Sequence, residues 1–223
     1  MLRRSITLAA LVSLASLAAC SSDDNNVTVP TNTSTVRFIN ATNGTISAAN
    51  NGSTDALNSN LAFGTGSTCL TVNNTNPSLV FTNASGTAMS GFVPSFSNGG
   101  NYTVVAYTDA NGGTQFTTLD NTYAATSGQA GLRVFNAAAG SGDVMVSSNG
   151  SLLNNGLVTS FGNAGTFFST PTGSQTLTFS TAANPTAMGS STVTLNAGQN
   201  NTIVLGPAAT GSTALRSFVS TGC

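Results

Sequence analysis

The stretch TVRFINA, Thr35 to Ala41, returns as GLRVFNA, Gly131 to Ala137, and the return holds its register downstream. Arg37 and Arg133 give an offset of 133 − 37 = 96. Asn51-Gly52-Ser53 comes back as Asn149-Gly150-Ser151, and Phe63-Gly64 as Phe161-Gly162, both at 161 − 63 = 98. Asn98 and Gly100 recur as Asn196 and Gly198. Thr103-Val104-Val105 recurs as Thr202-Ile203-Val204, at 202 − 103 = 99. So small a drift across most of a unit marks an internal repeat. Two units of about 95 residues follow, each long enough to close around its own core.

Within the units the apolar period is two. Ser191-Thr192-Val193-Thr194-Leu195 alternates polar with apolar, and so does Gln175-Thr176-Leu177-Thr178-Phe179. That is the signature of a strand with one face in a core. Asn-Gly pairs at Asn43, Asn51, Asn111 and Asn149 are hairpin-turn signals, because both residue types tolerate positive φ. No segment beyond the first twenty residues sustains a helical period. The expected fold is all-β, two tandem antiparallel β-sandwiches over residues 35–126 and 127–223.

A family resemblance rests on the same residues. The openings VRFINA and LRVFNA, LAFG at Leu61 to Gly64, and NGGNYTVVAY at Asn98 to Tyr107 carry it. LDN at Leu119 to Asn121 and DVMVSSNG at Asp143 to Gly150 belong to it as well. Together they resemble DUF4397, a domain of unknown function found in secreted and lipid-anchored bacterial proteins, over most of residues 34–223. The resemblance implies tandem DUF4397-like repeats with an immunoglobulin-like or transthyretin-like sandwich in each. It brings no established activity and no catalytic residues. The second unit has no clear LDN; Leu215-Arg216-Ser217-Phe218 stands there, so its last strand is expected to be built differently.

Ahead of the repeats, MLRRSITLAALVSLASLAAC reads as an address. Arg3 and Arg4 precede a mostly apolar run, Ile6 to Leu17, of signal-peptide length and too short for a membrane span. Leu17-Ala18-Ala19-Cys20 resembles the lipobox of bacterial lipoproteins. That resemblance implies a signal peptide over residues 1–19 and lipidation of Cys20, with the membrane held through the lipid anchor. Each buried acyl methylene contributes about 0.8 kcal/mol, so two or three chains hold firmly. Ser21 rather than aspartate after the cysteine favours the outer membrane. Residues 20–34 then read as the lipidated cysteine and a flexible polar tether.

Composition removes whole classes of function. Charged residues make up 5% of the chain, with no Lys, Glu, His or Trp, where an ordinary domain has about 25%. After Cys20 only Arg37, Arg133 and Arg216 remain against six aspartates, a net charge near 3 − 6 = −3. Such a surface cannot displace counterions from nucleic acid. Without histidine there is no Ser-His-Asp or Cys-His site, and without lysine no Schiff base. No cofactor or metal site is expected, since zinc draws on histidine and thiolate ligands. An aspartate pair for glycoside hydrolysis is the one catalytic arrangement left. Its members, Asp55, Asp109, Asp120 and Asp143, all sit in turn-like surroundings.

Few other residues invite a role. Cys69 and Cys223 are the thiols remaining after Cys20, and in an oxidising envelope they form a disulfide or stay as two free thiols. Cys69 aligns with Phe167, expected on a strand. Asp109-Ala110-Asn111-Gly112-Gly113 resembles the start of a calcium loop but lacks the closing glutamate, and a hairpin turn is the better reading. Arg37 and Arg133 are expected on the solvent side of a strand, paired with a carboxylate or carbonyl. Tyr102, Tyr107 and Tyr123 are candidates for a sugar-binding face, although Tyr102 and Tyr107 face opposite ways on one strand. The function expected from these readings is a non-catalytic, lipid-anchored envelope module contacting envelope proteins. The alternative is a surface glycan- or protein-binding, adhesin-like lipoprotein.

Overall fold

The computed structural model describes residues 32–50, 56–73, 79–89, 92, 94–153, 159–182, 186–208 and 214–223. Residues 1–19, Cys20, most of the tether, the Asn51-Gly52 pair and Asp55 lie outside the described residues. Residues 32–223 form one compact unit, and every regular element described in it is a strand.

The first eight strands are β1 (Thr33–Ala41), β2 (Ile46–Asn50), β3 (Ala56–Leu61), β4 (Leu70–Asn73), β5 (Leu79–Asn83), β6 (Ala88–Met89), β7 (Asn101–Thr108) and β8 (Thr114–Asp120). The next eight are β9 (Ala130–Asn136), β10 (Val144–Ser148), β11 (Ser151–Leu152), β12 (Phe168–Thr170), β13 (Gly173–Thr181), β14 (Gly189–Leu195), β15 (Asn200–Gly206) and β16 (Arg216–Thr221). Four four-stranded sheets result: β4-β1-β7-β8 and β3-β2-β5-β6, then β12-β9-β15-β16 and β11-β10-β13-β14. The second eight strands follow the order of the first. Pairing is antiparallel except between β1 and β7 and between β9 and β15, which run parallel. These parallel pairs arise because the intervening strands cross to the other sheet and back.

Each pair of sheets encloses a core. Val36, Phe38, Ile46, Phe81, Val104 and their neighbours fill the first, with the Phe38 and Phe81 rings edge to face at 5.5 Å. Leu132, Val134, Leu177, Phe179, Ile203 and Leu205 fill the second. The alternating β13 segment obeys the period-two rule: Gln175, Leu177, Phe179 and Thr181 are buried between partly or fully exposed neighbours. β9, by contrast, is buried at every position. The reason is a third core joining the two sandwiches, made of Ile39, Ala41, Val105 and Leu119 from the first unit and Phe135, Ala137 and Val204 from the second. The sheets β4-β1-β7-β8 and β12-β9-β15-β16 therefore lie back to back as inner layers, and the other two are outer layers.

The asparagine ending each repeated opening explains how the chain leaves an inner sheet. Asn40 Nδ2 donates to the carbonyls of Gly44 and Leu61 at 2.6 and 2.7 Å, and its Oδ1 accepts from the Thr42 amide. Asn136 does the same for Gly142, Thr159 and Ala138. These side chains tie the backbone of the crossing together, adding to strand contacts such as the Val144 amide on the Thr159 carbonyl. Asn149-Gly150 is a hairpin turn between β10 and β11, with φ of 50° and 80°. Asn111-Gly112 lies in the β7–β8 hairpin. Asn43-Gly44 instead links β1 to β2 across the sandwich, so it is no hairpin. The last strand, β16, occupies the place of β8: Asn201 pairs with Thr221 where Tyr102 pairs with Asp120. Its counterpart of Leu119-Asp120-Asn121 is Ser220-Thr221-Gly222, not the Leu215 to Phe218 stretch.

Candidate functional site

The polar chemistry of the described chain concentrates where the inner sheets meet. On β1 the even residues Val36 and Phe38 point into the sandwich, so Arg37 shares the opposite face with Ile39 and Ala41. On β9 the same parity puts Arg133 beside Phe135. The two arginines are thus carried to the joint between units, not to the solvent side. Arg133 is 5% exposed.

Arg133 is fully engaged. Nε donates to Thr202 Oγ1 at 2.9 Å, Nη1 to the Asp120 carbonyl at 2.7 Å, and Nη2 to Asn121 Oδ1 at 2.7 Å. Its guanidinium lies 4.2 Å from the centre of the Phe167 ring, which stacks on Tyr123. A residue of the second unit thereby closes the end of β8 in the first. Burial away from water pushes this guanidinium down to about 10, against the favourable charge of Asp120.

Arg37 makes the reciprocal reach. Its Nη1 donates to the Thr221 carbonyl at 2.6 Å, the position on β16 that matches Asp120. Its Nη2 meets Cys69 Sγ at 3.4 Å, in an exposed contact, and its Nε has no partner. Cys69 and Cys223 form a disulfide with a Cα–Cα distance of 5.7 Å, within the usual span. It fastens the end of β16 to the first unit. Cys69 and Phe167 each lie just ahead of an edge strand, β4 and β12, and not within one.

The remaining sequence candidates scatter. Tyr102 packs in the first core against Phe96, and its hydroxyl accepts from the Ser97 amide. Tyr107 packs between units against Phe135 and Phe161, so the two tyrosines do face opposite ways. Tyr123 is stacked and its hydroxyl meets Ser169 at 3.0 Å. No shared aromatic face results. Asp109 closes the β7–β8 turn, its Oδ1 accepting from the amides of Asn111 and Gly113. Those bonds and the Gln115 amide hold its carboxyl below the usual range. Asp120 caps the Thr122 amide at the end of β8, and Asp143 lies exposed just ahead of β10. Among the described residues no three of His, Cys, Asp or Glu gather as metal ligands.

Two clefts open at the joint. One, about 320 Å³, is lined by Asn101, Asn121, Asn200, Thr221 and Cys223 with neighbouring backbone. The other, about 290 Å³, has Arg37 in its wall with Ser67, Thr68, Phe218 and Ser220. Sequence reasoning missed Asn121, Phe167 and Arg216. The last stacks over Phe63 at 3.5 Å, above Gly206, where a methyl group would collide with the ring. The signal available in the sequence was the paired recurrence of Phe63 with Phe161 and of Arg37 with Arg133. No curated protein matches the chain. Residues 45–147, from the approach to β2 into β10, carry a DUF4397 domain, a domain of unknown function.

Proposed function

We propose that the chain is a lipid-anchored envelope protein without catalytic activity, whose joined sandwiches serve as a structural or interaction module. The observation that carries this reading is the shared third core, tied by Arg37, Arg133 and the disulfide into one block. A block whose described residues gather no metal-ligating set suits presentation of surface better than chemistry. The identical strand order of the two halves supports a duplicated DUF4397-like unit, the second copy extending past the matched residues. Cys20 supplies the anchor, and the residues between it and β1 the tether to the outer membrane; Thr33 and Ser34, counted with the tether on sequence, belong to β1.

The adhesin-like alternative draws support from one face. Ser174, Thr176 and Thr178 on β13 stand beside Thr194, Thr192 and Ser190 on β14, making an uncharged hydroxyl surface on an outer layer. Hydroxyls in such ranks suit glycan hydrogen bonding. The test is protease and antibody access to the domain on intact cells, with Cys20→Ser as the unanchored control. Access that depends on Cys20 favours the surface-binding reading. Protection until the outer membrane is opened favours a periplasm-facing module. A Cys20→Ser protein that stays equally membrane-bound defeats the anchor.

A further inference from the structure

The duplication supplies its own control for the Arg37 cleft. In the register, Arg37 sits beside Thr103 as Arg133 sits beside Thr202. Thr202 Oγ1 accepts from Arg133 Nε, yet Thr103 Oγ1 is exchanged with the side chain of Asn121 instead. Asn121 Oδ1 accepts from Arg133 Nη2, but its counterpart after β16 is Gly222, which has no side chain. Phe167, under Arg133, is replaced beside Arg37 by Cys69. Two oxygens and a ring are therefore missing around Arg37, and a cleft of about 290 Å³ stands at its side. Burial lowers the pKa of Arg37 from its ordinary value. Ser220, 5% exposed, adds a second polar atom there without a partner.

We infer that this cleft is a binding site for a carboxylate-bearing ligand of about monosaccharide size, with Arg37 as its charged contact. A carboxylate oxygen accepts a charge-assisted hydrogen bond from a guanidinium donor, stronger than a neutral one. Nη2, whose only contact is the exposed one to sulfur, presents the ready donor. Thr68, Ser220 and the ring of Phe218 line the remaining wall, matching a ligand with both hydroxyls and an apolar face; the Ser67 hydroxyl, beside them, is held by the Phe38 amide and the Thr68 carbonyl. The volume is near the lower limit for small-molecule sites, which fits one acidic sugar unit or a compact organic acid. The site goes beyond the anchoring role and does not depend on it.

The experiment uses the chain from residue 20 onward as Cys20→Ser, with the disulfide intact, and follows arginine side-chain Nε–H signals by NMR. Only Arg37, Arg133 and Arg216 contribute, and Arg37→Lys identifies the first. Titration with D-glucuronate is expected to move the Arg37 signal saturably while Arg133 stays still. D-glucose, the neutral counterpart, should leave it unmoved. Arg37→Lys should weaken glucuronate binding about tenfold, since the ammonium does not place a donor where Nη2 stands, and Arg216→Lys should not. An unmoved Arg37 signal overturns the site. An equal response to glucose, or a response to inorganic phosphate alone, overturns the carboxylate assignment.

Discussion

At the residue scale, two arginines at matching positions of the recurring opening differ in what surrounds them. Arg133 gives hydrogen bonds to Thr202, Asp120 and Asn121 from a site 5% exposed. Arg133→Met removes the donors to the part-buried Asp120 carbonyl and to Thr202 Oγ1, and leaves the buried Asn121 Oδ1 with the Thr103 hydroxyl alone. We expect a loss of about 3 kcal/mol in urea unfolding, and a smaller loss for Arg37→Met, whose bonds are fewer. Because burial lowers the folded pKa of Arg133 to about 10, its protonation differs between folded and unfolded chains only above that value. The desolvation cost is constant below it and is relieved as pH rises further. Stability should therefore show no Arg133-linked slope between about pH 5 and 9. Asp109 differs in that the fold favours its charged form. Its carboxyl is held below the ordinary 3.8, so its contribution is present above that value and disappears as acidification passes the folded pKa. Amide exchange at Asn111 and Gly113 should quicken there, and unchanged protection would contradict the capping role.

At the element scale, strands of like sequence differ in how many faces they bury. On β13, Leu177 is fully buried and Thr176 is exposed. Leu177→Ala should cost about 2–5 kcal/mol, and Thr176→Ala less than about 0.5. On β15 both Ile203 and Val204 are at 0% exposure, one in the second core and one in the third. Alanine at either should be costly, so an alternating pattern of losses along β15 would argue against the back-to-back inner sheets. The β10–β11 turn makes a separate demand. Asn149 has a φ of 50°, a region costly for β-branched residues. Asn149→Val should lose about 1–2 kcal/mol, while Asn149→Gly should be nearly neutral by thermal melting.

At the scale of the whole molecule, the disulfide spans 154 residues. Closing so long a loop in the unfolded chain is worth about 5 kcal/mol on the chain-entropy model. Reduction, or Cys69→Ser, should lower the melting temperature by about 10–20 °C for a chain of this size. With the disulfide intact, the third core should make the sandwiches melt together, as one calorimetric transition. Two resolved transitions would show that Ile39, Leu119, Phe135 and Val204 couple the units only weakly.

The strands and the recurring opening were legible because each is carried by a short run of residues. Side-chain alternation is set by the pleat, and the recurrence of TVRFINA as GLRVFNA needs no structure to be seen. The all-β sandwich class follows from those two facts alone. Cys69 and Cys223 were open to two readings, and only their meeting at the end of β16 selects the pair. What tertiary structure decided was the fate of the second face of each inner strand. Alternation says that Arg37 and Ile39 point away from the residues Val36 and Phe38, but not whether water or another sheet lies there. Packing sheet on sheet turned that face into a core, buried Arg133 and left Arg37 short of partners. The differences that matter, Asn121 against Gly222 and Phe167 against Cys69, act across a joint between residues far apart in the chain. No window of sequence contains both sides of it.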